Sequence, residues 1–429
     1  SGATSIIEGE VVVAHQKALG EAVAPYTGNG TLVESGATLS TVLAGGVVQE
    51  RLWIGGSGVQ TNGAINVIGS SVTFAGPITL QTNALFNVPA NTTLILSNQI
   101  SGPGGFTKTG TGTLRFEDYS INNYDGDTII RGGLVILAKP DGFTSIPGTL
   151  QVGTVPAGSM SPTIRWENND QIRNQSWVWV WGDGALDLNG YREYITHLTA
   201  HGPIDLGDGE LIVAEGSTVD SVTGTGKIRK LGDGQLLIGQ FTQYTGETIV
   251  EGGTLNIGNG VASSHVRLEP GTLLMGQKSM HDVTVNGAVL SPGSFTFRAG
   301  KMKMDSLLML NRARFEVQLR GSVPGESYDH LEVDGTVKLI DSYLDVQMGY
   351  PGFPNISYML ISNAGNDPVD GTFLGKPEGS TFNIAGAQFY ITYQGGDGND
   401  VVLTQLTTST NDYSPRLYID PVPGTNEVR

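Results

Sequence analysis

Three tryptophans at alternate positions, Trp177, Trp179 and Trp181, are the sharpest chemical feature of this chain. Strict alternation places Val178 and Val180 on one side of an extended strand and the three indoles on the other. With the valines turned inward, the rings form an outward ladder about 6.5–7 Å apart. Such a surface is costly to leave in water. It suits a protein–protein hot spot or a platform on which sugar rings stack.

Catalytic groups are sparse by comparison. The histidines His15, His197, His201, His265, His281 and His330 are scattered. His197 and His201 have the spacing of a metal pair on a helix, but the local pattern is a strand, where residues four apart share a face about 13 Å distant. A surface or stacking role is therefore expected of them. The carboxylates of Asp183, Asp187, Asp205 and Asp208 fall mainly in turns, without the paired acids or the carboxylate cluster with a basic partner that a polysaccharide hydrolase or lyase uses. Gly395-Gly-Asp397-Gly-Asn-Asp400-Val-Val-Leu403 fits one calcium-binding nonapeptide. A calcium roll needs successive copies, since each ion sits between turns and takes six or more oxygens. Asp397 and Asp400 are thus weak calcium candidates, and a tight turn before a last strand is the expected reading. No cofactor is expected.

The elements that carry these residues are read from composition and pattern. Of 429 residues, 62 are glycine, about twice the usual share. Cysteine is absent, which removes disulfides, zinc–thiolate centres and thiol catalysis. The net charge is -17, from 24 Lys+Arg against 41 Asp+Glu, which disfavours a nucleic-acid partner. No apolar run is long enough for a membrane-spanning helix. Ser1 in place of an initiator Met, with no basic-then-apolar leader, reads as a mature or trimmed product. Short alternating runs such as Phe315-Glu-Val317-Gln-Leu319 and Tyr343-Leu-Asp-Val346 read as half-buried strands. Asn-Gly and Asp-Gly pairs such as Asp125-Gly126, Asp233-Gly234 and Asn286-Gly287 read as turns between them. The best helix candidate is one or two turns near Gln16–Ala22.

An internal repeat selects the architecture. Gly102-Pro-Gly104-Gly-Phe106-Thr-Lys108-Thr-Gly110-Thr-Gly112-Thr-Leu114 has the spacing of Gly224-Thr-Gly226-Lys-Ile228-Arg-Lys230-Leu-Gly232-Asp-Gly234-Gln-Leu236. Each is followed by a Tyr-x-Gly-x-Thr segment, Tyr124 to Thr128 and Tyr244 to Thr248, and then by Gly133 or Gly253. Gly2, Thr4, Ile6, Gly9, Val11 and Val13 repeat the second half of the unit. Each unit has one apolar face and two open edges, and stacking buries the faces and pairs the edges. The fold expected is therefore all-β, a parallel β-helix or β-solenoid with about 20–25 residues per turn.

The Lys-x-Gly-x-Gly-x-Leu and Tyr-x-Gly-x-Thr pattern resembles the autotransporter-associated β-strand repeat, also called the passenger-associated transport repeat. Tyr328-Asp329, Leu331-Glu-Val333-Asp-Gly335 and the stretch Ile391 to Thr404 are also similar to such proteins, so the likeness covers about residues 1–406. The resemblance implies a right-handed parallel β-helix, bacterial and extracellular or displayed at the cell surface, without implying one activity. Autotransporters carry an outer-membrane barrel after the passenger, and the residues after Thr404 leave no room for one.

The expected organisation is a solenoid over 1–320, with the partial copy at 1–14 and full copies near 102–137 and 224–257. A β region capping or continuing it covers 321–406, and an extended Pro-containing tail covers 407–429. The exposed half-unit at Gly2, Thr4 and Ile6 offers an open strand edge. The tail residues Tyr413, Leu417, Tyr418 and Ile419 could dock on a neighbouring copy, giving head-to-tail self-association. The reading is a non-enzymatic extracellular structural protein, a fibre or filament subunit. The alternative is a surface adhesin or autotransporter passenger that binds glycans or matrix through exposed aromatics, and the third is a β-helix polysaccharide enzyme.

Overall fold

The computed structural model describes residues 3–20, 30–258, 265–277, 279–293 and 299–411, the side chains of 240–242 apart. It comprises two compact units, one of residues 1–274 with 278–284 and one of 275–277 with 285–429.

The first unit is a parallel β-solenoid. Strands Ile78–Asn87, Phe106–Thr109, Thr128–Ile130, Leu150–Val152, Trp177–Val180 and His197–Asp205 pair in register, each with the next. A second ladder joins Ser71–Phe74, Thr93–Leu96, Thr113–Phe116, Leu134–Leu137, Thr163–Trp166 and Ala185–Asp187. Alternation sends every second side chain inward, and register stacks like upon like. Val72, Leu94, Leu114, Val135, Ile164 and Leu186 form one such column, each 0–1% exposed. Each fully buried aliphatic is worth about 1.5–3 kcal/mol, so the columns hold the coil together.

The repeat residues fix the corners. Gly9, Gly133 and Gly253 occupy one position of the unit and all have positive φ (81°, 69° and 66°), a conformation that favours glycine. Gly126 and Gly246 serve another purpose. A Cβ on Gly126 would lie 2.2 Å from the Gly105 nitrogen, and one on Gly246 1.6 Å from the Gly226 oxygen, so neighbouring coils touch there backbone to backbone. The Tyr-x-Gly-x-Thr segment closes on itself indoors: the Tyr124 hydroxyl lies 2.5 Å from Thr128 Oγ1, and Tyr244 meets Thr248 in the same way.

In the second unit, parallel coil pairing continues beyond residue 320. Arg314–Leu319 runs parallel to Tyr343–Met348, and Lys301–Leu310 parallel to His330–Val333. Among the described strands of this unit, antiparallel strand pairing begins at Ser357–Asn363, which pairs with Asp400–Gln405; that strand pairs in turn with Ala387–Gly395. Where a helix near Gln16–Ala22 is expected from the sequence, residues 16–19 make a turn, and residues 21 and 22 lie outside the described residues. The only helical element among the described residues is one 3-10 turn at Val59–Thr61.

Candidate ligand-binding face

The strand Trp177–Val180 takes its orientation from the register. Val178 stacks between Leu150 and Leu198, and Val180 between Val152 and Ala200. Both valines are buried, at 1% and 0% exposure, which leaves Trp177, Trp179 and Trp181 on the outer face. Trp177 is 50% exposed and Trp179 and Trp181 are half-buried. The Trp177 and Trp179 rings lie 5.6 Å apart at 22°. The register also sets His197 beside Trp177 on the next coil, where the two rings stack 4.1 Å apart at 11°. His201 lies on the same strand and pairs with Asp220, 2.8 Å from Nδ1. The two histidines therefore serve different neighbours, as the strand spacing requires. His197 as a third ring of the stack could not be read from the sequence, since 20 residues separate it from Trp177.

Of the four carboxylates expected mainly in turns, Asp183 and Asp208 lie in turns, whereas Asp187 and Asp205 end strands. Asp183 accepts from the Thr154 N–H at 2.8 Å and the Gly158 N–H at 2.7 Å, and Asp187 pairs with Arg165 at 2.6 Å. The Asp205 carboxylate accepts from the Gly207 N–H at 3.1 Å. Asp400 is buried and accepts the Asn363 N–H at 2.8 Å, tying the last turn to a neighbouring strand, while Asp397 lines a shallow hollow with Gly365 and Asn399. Among the described residues no three His, Asp or Glu side chains converge as a metal site would need.

Several buried charges escaped sequence reasoning. Lys108 is fully buried, and its ammonium donates to the carbonyls of Gly110 and Gly132, each at 2.8 Å. Burial lowers its pKa to about 8. Lys230, its counterpart in the second repeat copy, donates to Ala214 at 2.6 Å, to Gly232 at 2.9 Å and to Gly252 at 3.4 Å. The repeat lysine is thus an internal clamp on corner carbonyls, of which those of the buried residues Gly132 and Ala214 would otherwise lack this donor. Glu193 is also fully buried and accepts from Trp166 Nε1 at 2.6 Å and the Gln171 N–H at 2.7 Å. Desolvation raises its pKa to about 8 against these donors. These groups sit inside the coil and bond to its own backbone and side chains, so their work is structural.

The proposed docking edge is described only in part. Thr4–Ile6 pairs in parallel with Thr31–Val33, with Ile6 buried in the core and Thr4 half-buried. Ile6 is therefore a core residue rather than a contact. Gly2, Tyr413, Leu417, Tyr418 and Ile419 lie outside the described residues.

Known proteins give this geometry a context. The family model described as passenger-associated-transport-repeat matches residues 106–137 and 228–257, the two repeat copies. The chain is 28% identical over 293 residues to the BmaC autotransporter adhesin of Brucella suis biovar 1 (strain 1330). That similarity covers 62% of this chain, which spans 7% of the length of the relative. Among solved structures, the crystal structure of the Haemophilus influenzae Hap adhesin aligns with 87% of this chain and 49% of its own, at 12% identity and a TM-score of 0.32.

Proposed function

We propose that this chain, two segments of which match the passenger-associated-transport-repeat model, is a non-enzymatic, surface-exposed or secreted passenger segment of an adhesin. Its contact surface is the outer face formed by Trp177, Trp179 and Trp181. One observation carries the reading: Trp177 keeps half its surface in water although its ring is held by Trp179 and His197. A ring fixed in place and left open is suited to a partner, because little side-chain entropy remains to be lost on contact. Support also comes from the adhesin similarity and from carboxylates tied to protein donors rather than grouped for proton transfer.

The test is adherence of the purified chain to immobilised extracellular matrix and to a glycan array, for wild type and for Trp177→Ala combined with Trp179→Ala. Retention by the wild type and loss by the variant, at unchanged melting temperature, is the expected result. Equal retention of both would sink the reading.

A further inference from the structure

We propose that the outer face beside the tryptophans is a groove for a linear glycan bearing acidic groups, with Arg131 as its anion-binding residue. The proposal rests on the adhesin reading and specifies the ligand of the same face.

Two clefts lie end to end on this face. One, of about 540 Å³, is lined by Ser57, Thr61, Asn83, Thr107 and Thr109 among others. The other, of about 370 Å³, is lined by Ile129, Gln151, Thr154, Val155 and Trp181. Arg131 belongs to both and joins them. Register explains the alignment. Leu85, Thr107, Ile129, Gln151 and Trp179 form one outward column. Asn66, Asn87 and Thr109 begin the adjacent column, and backbone bonds carry it on to Arg131, Gly153 and Trp181. From Asn83 to Trp177 the face climbs four rungs, about 19 Å at 4.8 Å each. That length calls for a polymer rather than a small molecule.

The chemistry along the groove is graded. At one end the lining is rich in hydroxyls and an amide, Ser57, Thr61, Asn83, Thr107 and Thr109, matched to hydroxyl-rich ligands; beside it Thr109 donates to Asn87 at 3.4 Å and Asn87 to Asn66 at 3.0 Å. At the other end stand the indoles. Between Arg131 and Trp181 the column position is Gly153, with φ 98°, where a Cβ would lie 2.4 Å from Asp183 Oδ1 and 3.0 Å from Trp181 Cβ, so the backbone packs closely against the next turn at the second cleft. One rung is close to the length of one pyranose residue in an extended chain.

The cation is open. Arg131 is exposed, and among the described residues no carboxylate lies within ion-pair distance of it. The repeat shows how unusual this is. In the second copy the positions of Thr107 and Arg131 are held by Arg229 and Glu251, which pair at 2.9 Å. The first copy replaces that closed pair with an unopposed guanidinium in a chain of net charge -17. The nearby carboxylates are engaged by donors of the face itself and not by Arg131: Asp127 accepts from Gln151 at 3.4 Å, and Asp183 from the N–H groups of Thr154 at 2.8 Å and Gly158 at 2.7 Å. A guanidinium forks onto carboxylate or sulfate oxygens. A peptide fits less well, since the strand backbones here are committed to coil-to-coil pairing and offer no edge for strand addition.

The experiment titrates the whole chain by tryptophan fluorescence and calorimetry with four probes: a galacturonic acid oligomer, its carboxyl-reduced neutral form, a heparin-derived oligosaccharide and poly-glutamate. Binding of either acidic oligosaccharide, weakened about tenfold or more in Arg131→Gln at unchanged melting temperature, is expected. The acidic probe that binds distinguishes a carboxylated from a sulfated ligand. Binding that Arg131→Gln leaves intact, equal binding of the neutral form, tighter binding of poly-glutamate, or no binding of either acidic oligosaccharide overturns the proposal. Adherence measured on the same variants separates the two readings. Adherence lost with the tryptophans but kept in Arg131→Gln rejects the groove and leaves the adhesin standing. Arg131-dependent oligosaccharide binding without adherence does the reverse.

Discussion

The ammonium of Lys108 lies 2.8 Å from the carbonyl oxygen of Gly132, 24 residues ahead in sequence and one coil away in space. Lys230 and Gly252 repeat the relationship at 3.4 Å. A buried charge of this kind is held by the carbonyls that it in turn satisfies.

Replacing Lys108 by Met keeps most of the stem and removes the donor. The carbonyls of half-buried Gly110 and buried Gly132 then lose this donor. We expect a loss of about 2–4 kcal/mol, seen as a lower midpoint in urea unfolding. The same change at Lys230 should add to it, the two clamps sharing no partner. An unchanged midpoint would show that the clamp contributes nothing.

Glu193 sets a pH dependence. Desolvation raises its pKa from 4.5 to about 8, so the folded chain holds this proton more tightly than the unfolded chain. Its contribution to stability is complete below about 4.5 and is lost as pH rises through about 8, by up to about 1.4 kcal/mol per unit. Asp329, raised to about 7 by burial, acts with the same sign. Glu193→Gln cannot ionise, so its melting temperature should fall less than that of the wild type between about pH 5 and pH 9. Parallel curves for the two proteins would refute the assignment.

Gly246 is a contact between coils rather than a flexible joint. Its alanine variant would drive a methyl group to 1.6 Å from the Gly226 oxygen. We expect destabilisation of about 3 kcal/mol or more. Alanine at Gly142, where a Cβ meets nothing within 4 Å, is the control for positive φ alone, at φ 87°. It should cost about 1–2 kcal/mol.

Asp400 is expected to work as a hydrogen-bond acceptor for Asn363, not as a calcium ligand. Chelator should leave the melting temperature of the wild type unchanged, whereas Asp400→Ala should lower stability by about 1–3 kcal/mol. Calcium that raises the melting temperature of the wild type but not of the variant would reverse this expectation.

The solenoid was legible because it is written in local periodicities. Alternation turned Val178 and Val180 inward, and the repeat placed Gly133 and Gly253 at equivalent corners. Column membership was not legible. Thr107, Ile129 and Gln151 follow at intervals of 22 residues, but the next steps, to Trp179 and Thr199, take 28 and 20. A loop after Gly153 breaks the count, so no fixed period leads from Arg131 to Trp181. The signal for Arg131 was nonetheless present in the repeat, where it stands against Glu251. The roles of Lys108 and Lys230 stayed hidden for a different reason. A lysine on a strand reads as solvent-facing, and only the stacked coils reveal carbonyls for it to serve.

Coil-on-coil register gives the outward residues of the in-register strands of the first unit a row and a column. Exchanging one outward residue alters a single cell of this grid and leaves the inward columns untouched. Such a face can be rewritten cell by cell, by mutation or by an engineer, with the fold as its ruled paper. The pair Arg229–Glu251 and the lone Arg131 are two entries at the same heading.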